Sequence, residues 1–461
     1  MALECALAGQ GRNRVYRNLG GSVVGNLLSR TLSRKSFTES LGEEAFVQAM
    51  LVFESALARS QAQAGLIPVD SANVIAAACR TLKIQAAALA EDGRLAGSLA
   101  IPLVKALTAH VHALDPRAAA FVHYGATSQD VLDTASMLCM KPCITEIDCV
   151  LGESIARLAG HARRHAAVVM LGRTMLQPAT PITAGLKIAR WAVALSRCRA
   201  RLAVAAKRAL CVQLGGPVGT LDALGSKRSQ VRGLLAAQLA LTEARAWHSH
   251  RDELLALASE LAILVTTVGK IARDVALLSQ AEVGEMLESA PRKGVGGSSA
   301  MPHKRNPVAC LQAIAAATRA PGLLATLLHA AGQEHERALG GWQAELATLP
   351  ELVETAGSAL DALERISTGL VVNADRMKQN LESLQGLVFS ERLSRLLMLS
   401  MDRVAAQSLV DDWCSSAVSE KRQLRDVVAA GRPDLEVGEV FSLDALMREL
   451  APVLEEELAA L

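Results

Sequence analysis

The stretch "GVGGSSAMPHKRNPVA", Gly294 to Ala309, joins three glycines, two serines and a Lys304-Arg305-Asn306 run between apolar helical patterns. Glycines let backbone N–H groups approach an anion and let such a loop close over it. A loop serine could act as a base if nearby N–H groups and Lys304 stabilised its alkoxide. It would then remove a proton from carbon beside a carboxylate, and the resulting aci-carboxylate needs fixed donors around it. Run backwards, the same groups protonate that carbon. Two further interruptions carry similar chemistry: "HYGATSQDVLDTA" from His123, with Thr127, Ser128 and Gln129, and "LGRTMLQPATPITAG" from Leu171, with Thr174 and Gln177. A fourth, at 332–342, holds His335 and Arg337. Lys and Arg bind carboxylates through charge-assisted hydrogen bonds, so the set suits a small substrate bearing several carboxylates. The residues alone leave plainer readings open. The glycines could only turn the chain, Thr127 and Ser128 could be helix caps, and His335 with Arg337 could be a surface pair. No Walker pattern precedes Lys304.

The elements that must position these residues read as helices. Hydrophobic residues make up 51% of the 461-residue chain and aromatics only 3%. Alanine and leucine therefore dominate, and both favour helix over strand. Residues 43–65 read as one amphipathic helix ended by Gly65 and Pro68. From Asp252 to about Met286, Leu254, Leu257, Leu261, Leu264, Val268, Ile271, Val275 and Leu278 recur at 3-4 spacing. That seven-residue repeat predicts left-handed packing of helix on helix. A second seam of mostly small residues (Ala258, Ala262, Gly269, Ala272, Ala276) predicts close approach of another helix. A helix of that length extends roughly 50 Å. Two seams place it inside a bundle, which could continue across subunits. The expectation is an all-α protein with an N-terminal helical domain at 1–122, a central long-helix domain at 123–385 and a C-terminal helical domain at 386–461.

Composition excludes some partners. A net charge of +2 gives no support for nucleic-acid binding. The nine cysteines lack paired metal-site or disulfide spacing and read as reduced core thiols of a cytoplasmic protein. No uninterrupted apolar run reaches the roughly 18 to 20 residues of a membrane span. From Cys5 to Thr38 the chain carries six basic residues, including Arg30, Arg34 and Lys35, and no acidic one. Such an arm fits a targeting peptide or an extension that helps bind an anion.

The motif "GGSSAMPHKRNP" resembles the signature loop of the fumarase/aspartase superfamily. "HYGATSQDVLDT" and "GRTMLQPATPITAG" resemble that superfamily's other two active-site regions, in the expected order. Within it, "QLGGPVGTLDALGSK", "WHSHRDELLALAS" and above all "QEHERALGGWQAELATLPEL" are most similar to the bacterial 3-carboxy-cis,cis-muconate cycloisomerase family. The resemblance runs from about residue 26 onward. It implies three helical domains and a homotetramer on a shared central bundle, with each site assembled from three subunits and no metal or cofactor. It makes Ser298 and Lys304 catalytic, with Asn306, Thr127, Ser128, Gln129, Thr174, Gln177 and Arg337 binding substrate. One departure stands out. Met175 occupies the place where amine- and alkoxide-releasing relatives carry a proton-donating histidine, and a thioether cannot donate. Lactonization needs that donor less. An elimination lyase acting on a substituted succinate, or a helical oligomer that has lost catalysis, are the alternatives. The intact Ser298, Lys304 and Asn306 argue against the second.

Overall fold

The structure is a computed structural model that describes residues 31–289, 296–297, 301 and 303–461. The basic arm before residue 31 lies outside the described residues, apart from its end. There, Arg34 is paired with Glu146 at 2.6 Å and Glu364 at 2.9 Å, so this arginine staples the arm to the bundle.

Five helices run alternately up and down: α6 (Ser128–Arg164), α7 (Ala184–Ala209), α9 (Asp252–Leu278), α10 (Val308–Ala330) and α11 (Gly341–Gly369). Before them come α1 (Lys35–Ser40), α2 (Glu43–Gln63), α3 (Val69–Thr81), α4 (Ala86–Ala96) and α5 (Ala100–Leu114), with α8 (Arg228–Leu239) between α7 and α9. After them come α12 (Ala374–Glu382), α13 (Ser390–Leu397), α14 (Arg403–Glu420), α15 (Leu424–Gly431) and α16 (Leu443–Ala459).

The seven-residue seam of α9 is buried from Leu254 to Leu278, and the helix packs against α7, α10 and α11. Gly269 of the small-residue seam is required by that packing. A Cβ there would stand 2.3 Å from the Cβ of Ala317 on α10. By length and composition α9 and α10 could each cross a bilayer, yet here the seven-residue seam of α9 faces other helices, α10 among them. The helix ends at Leu278 rather than near Met286. The chain turns through Gly284 (φ +64°), and Glu285 N–H returns to the Leu278 carbonyl at 2.9 Å.

Among the described residues, two small sheets interrupt the all-α plan. The Pro-rich break after α6 folds as a hairpin of β1 (Val169–Thr174) and β2 (Gln177–Thr183), antiparallel, with Thr174 opposite Gln177. Its two-residue tip, Met175-Leu176, has φ +50° and +67°. Such a tip fits the twist of a hairpin but normally uses Asn or Gly, because side chains crowd the left-handed region. A second pair, β3 (Met286–Glu288) with β4 (Leu370–Val372), clamps the entry to the signature loop. Most buried apolar residues from Phe37 to Ile366 form one core, while residues between Leu381 and Phe441 form a second cluster.

Candidate active site

The site residues fall into two groups at opposite ends of the bundle. Helix α6 separates them: Thr127 precedes its first residue, the hairpin follows its last, and 37 residues at 1.5 Å each span about 55 Å. Helix α9 starts at the Thr127 end, where Arg251 meets Asp133, and delivers the signature loop to the hairpin end, where Glu285 meets Arg173. Helix α10 then returns, so the 332–342 loop lies beside Thr127.

At the first end, Thr127 is the N-cap of α6, and its hydroxyl accepts from Arg337 Nη1 at 2.8 Å. Ser128 opens the helix and is half-buried. Gln129 is 1% exposed, and its Nε2 donates to the His248 carbonyl at 2.8 Å, so it braces the turn from below. The turn is held by Asp130, which accepts from Thr127, Gly215 and Gly216 N–H groups, each at 3.0 Å, and faces His248 Nε2 at 2.8 Å. The Thr-x-x-Asp spacing of a capping box would have disclosed that role.

Beneath lies a buried ionic cluster. Arg251, 3% exposed, pairs with Asp133 and with Glu345, lies 4.3 Å from the Trp247 ring centroid, and shares Asp133 with Trp342 Nε1 at 2.8 Å. Burial opposes the charge on Arg251, but the two carboxylates outweigh it and its pKa is raised. Burial likewise pushes Glu345 up against the pull of Arg251. Apart from Asp133, which lies on α6, these residues come from "WHSHRDE" and "GGWQAE", and "QLGG" braces them: Gln213 Oε1 accepts the Trp247 N–H at 3.0 Å, and Trp342 and Glu345 fix the segment that leads from Arg337. The segments that carry the family resemblance are thus the mounting of Thr127 and Arg337.

At the other end, Thr174 and Gln177 are exposed beside the hairpin tip, and Met175 is 97% exposed. Thr174 lines a cavity of about 640 Å³ between the hairpin, α7 and α9, with Lys187, Trp191 and Lys270 around it. That volume is within the range of small-ligand pockets. Burial lowers the Lys187 pKa, against the pull of Asp274. Arg173 anchors the hairpin through a bidentate pair with buried Glu285 at 2.7 and 2.8 Å. Lys304 is exposed and Asn306 half-buried. The loop limbs are pinned where Asn306 N–H donates to the Gly296 carbonyl at 2.7 Å and Gly297 bridges Arg305. Glu288 accepts from the Ala309 N–H at 2.9 Å and the Cys310 N–H at 3.1 Å, closing the base of the loop and capping α10. Ser298 and Ser299 lie outside the described residues. Sequence reading missed Asp130, Glu285 and Glu288, whose partners are distant in sequence except within the capping box.

This is a long-helix bundle enzyme scaffold, with the candidate site residues distributed over its two ends. A lyase family model matches residues 31–322, and the chain belongs to that family, within the fumarase/aspartase superfamily. It is 45% identical over 88% of its length to 3-carboxy-cis,cis-muconate cycloisomerase of Bradyrhizobium diazoefficiens, 90% of which is covered. It superposes on the crystal structure of 3-carboxy-cis,cis-muconate lactonizing enzyme from Pseudomonas putida with a TM-score of 0.87 and 39% identity, covering 94% of this chain and 98% of the other. A nitrosuccinate lyase of Streptomyces davaonensis is 37% identical over 89% of this chain and 88% of its own.

Proposed function

We propose that this chain is a cofactor-free cycloisomerase that lactonizes 3-carboxy-cis,cis-muconate to 4-carboxymuconolactone in aromatic-compound breakdown. The observation that carries the reading is Arg337 held on Thr127 by the Trp342–Asp133–Arg251–Glu345 cluster, in which Arg337, Trp342, Arg251 and Glu345 all come from the segments that resemble the cycloisomerases. The relatives' names support it.

In this reaction one substrate carboxylate oxygen adds to the conjugated double bond. A C–O bond forms, and the π electrons move onto a second carboxylate as an aci-carboxylate. Lys304 and Asn306 stabilise that charge, and Ser298 or a water delivers the proton to carbon. A carboxylate becomes an ester, so one proton is taken up per turnover. No amine or alkoxide departs, which suits an aprotic Met175.

Because the two groups of residues stand about 55 Å apart along α6, each site draws on several copies of the chain in a homotetramer. Exposed Ile263, Leu277, Leu311 and Leu328 on α9 and α10 provide apolar surface for that packing.

The test mixes purified protein, with no added metal or cofactor, with 3-carboxy-cis,cis-muconate and follows the diene absorbance. Rapid loss with lactone formation is expected. No loss, together with turnover of a substituted succinate, would establish an elimination lyase instead; nitrosuccinate is the first to try, because nitrite leaves without protonation.

A further inference from the structure

His123 heads the turn that carries Thr127. Its backbone sits at φ +58°, a region few residues with side chains adopt and one often found at functional positions. Its Nδ1 lies 2.6 Å from Glu54 Oε1 of α2. Glu54 is 1% exposed, and its other oxygen has no partner, so the carboxylate is committed to this ring. The next residue is anchored as well, since the Tyr124 carbonyl accepts from Gln61 Nε2 at 2.6 Å. Among the described residues Nε2 has no hydrogen-bond partner, and the side chain keeps 18% exposure.

The charge count gives this ring a purpose. The proposed substrate carries three carboxylates, while the cations so far assigned to it are Lys304 and Arg337. Other basic side chains near the Thr127 turn are engaged: Arg251 by Asp133 and Glu345, and His248 by Asp130. We propose that His123, oriented by Glu54, donates Nε2–H to the third carboxylate and so determines preference for the tricarboxylate. With Nδ1–H directed at Glu54, the cationic ring presents its second N–H outward for a charge-assisted bond.

The pH dependence has a definite sign. Burial lowers the His123 pKa, but Glu54, with help from Asp130, raises it further. The imidazolium therefore persists above the usual histidine range, and substrate binding weakens as pH rises through the raised value. Neutral His123 would turn a lone pair toward the carboxylate.

The inference rests on the lactonizing reading, and the experiment separates the two. A wild-type protein that leaves 3-carboxy-cis,cis-muconate unchanged fails that reading, whereas the variants below test this inference on active enzyme. His123→Asn suits the backbone, because Asn tolerates the left-handed region, and it keeps a neutral donor that does not titrate. Its KM should rise about tenfold with kcat within about threefold. Inhibition by tricarballylate should weaken about tenfold, and inhibition by the dicarboxylate glutarate by less than about threefold. Glu54→Gln should move the rise in KM to lower pH. A purely structural role would weaken both inhibitors equally. That outcome, an unchanged KM in His123→Asn, or a Glu54→Gln pH profile superimposable on wild type would each overturn the inference.

Discussion

Arg251, buried between Asp133 and Glu345, illustrates how much the site depends on groups that never reach substrate. Replacing it with Met leaves two carboxylates and no cation in the interior, a loss of about 3 to 5 kcal/mol. Thermal unfolding of Arg251→Met should register this as a drop of several degrees; an unchanged midpoint would mean that water reaches the cluster. Ser298→Ala asks a different question. If the hydroxyl takes part in proton transfer, turnover should fall at least about a hundredfold, with the folded state intact by circular dichroism; near-normal turnover would remove Ser298 from the mechanism. Thr127 and Arg337 could be picked out from residue type and local spacing, and they do meet. His123 and Glu54 could not, because 69 positions separate them and nothing local in either segment points to the other.

At the scale of elements, periodicity disclosed most where one helix buries two seams. Gly269 offers a clean test, since two effects oppose each other. Alanine gains about 1 kcal/mol of helix propensity over glycine, but its Cβ would fall 2.3 Å from that of Ala317. Overpacking costs roughly 1 to 3 kcal/mol, and Val adds two more methyl groups, so Gly269→Val should lower the denaturation midpoint clearly. The hairpin was hidden for a physical reason: "QPATPIT" carries two prolines, and its tip lacks the Asn-Gly signal. Replacing Met175-Leu176 with Asn-Gly should relax both left-handed residues and stabilise the chain by about 1 kcal/mol. If Met175 also shapes the substrate pocket, kcat/KM should fall in the same variant, and calorimetry beside kinetics would separate the two effects.

For the whole molecule, the helical class and the order of site segments were legible from composition and motif. The end-to-end separation was not, because it emerges only when the up-and-down path is known. It yields a mixing test. Arg337→Ala and Lys304→Ala chains should each be nearly inactive alone. Co-refolded in equal amounts, they should recover about a quarter of wild-type activity if a site takes Arg337 from one copy and Lys304 from another at random. No recovery would mean that both residues serve a site from the same chain.

The separation along α6 also bears on timing. If each site draws on several chains, as proposed, a newly folded chain would have its helices, core and buried ion pairs complete and still lack any place where substrate meets all its partners. During refolding, helical signal should therefore return first and activity later, with a lag that lengthens on dilution because it waits for encounters between chains. Catalysis in a cell would then depend on chain concentration more steeply than in proportion, so that scarce protein is nearly silent and a modest rise in synthesis switches the reaction on.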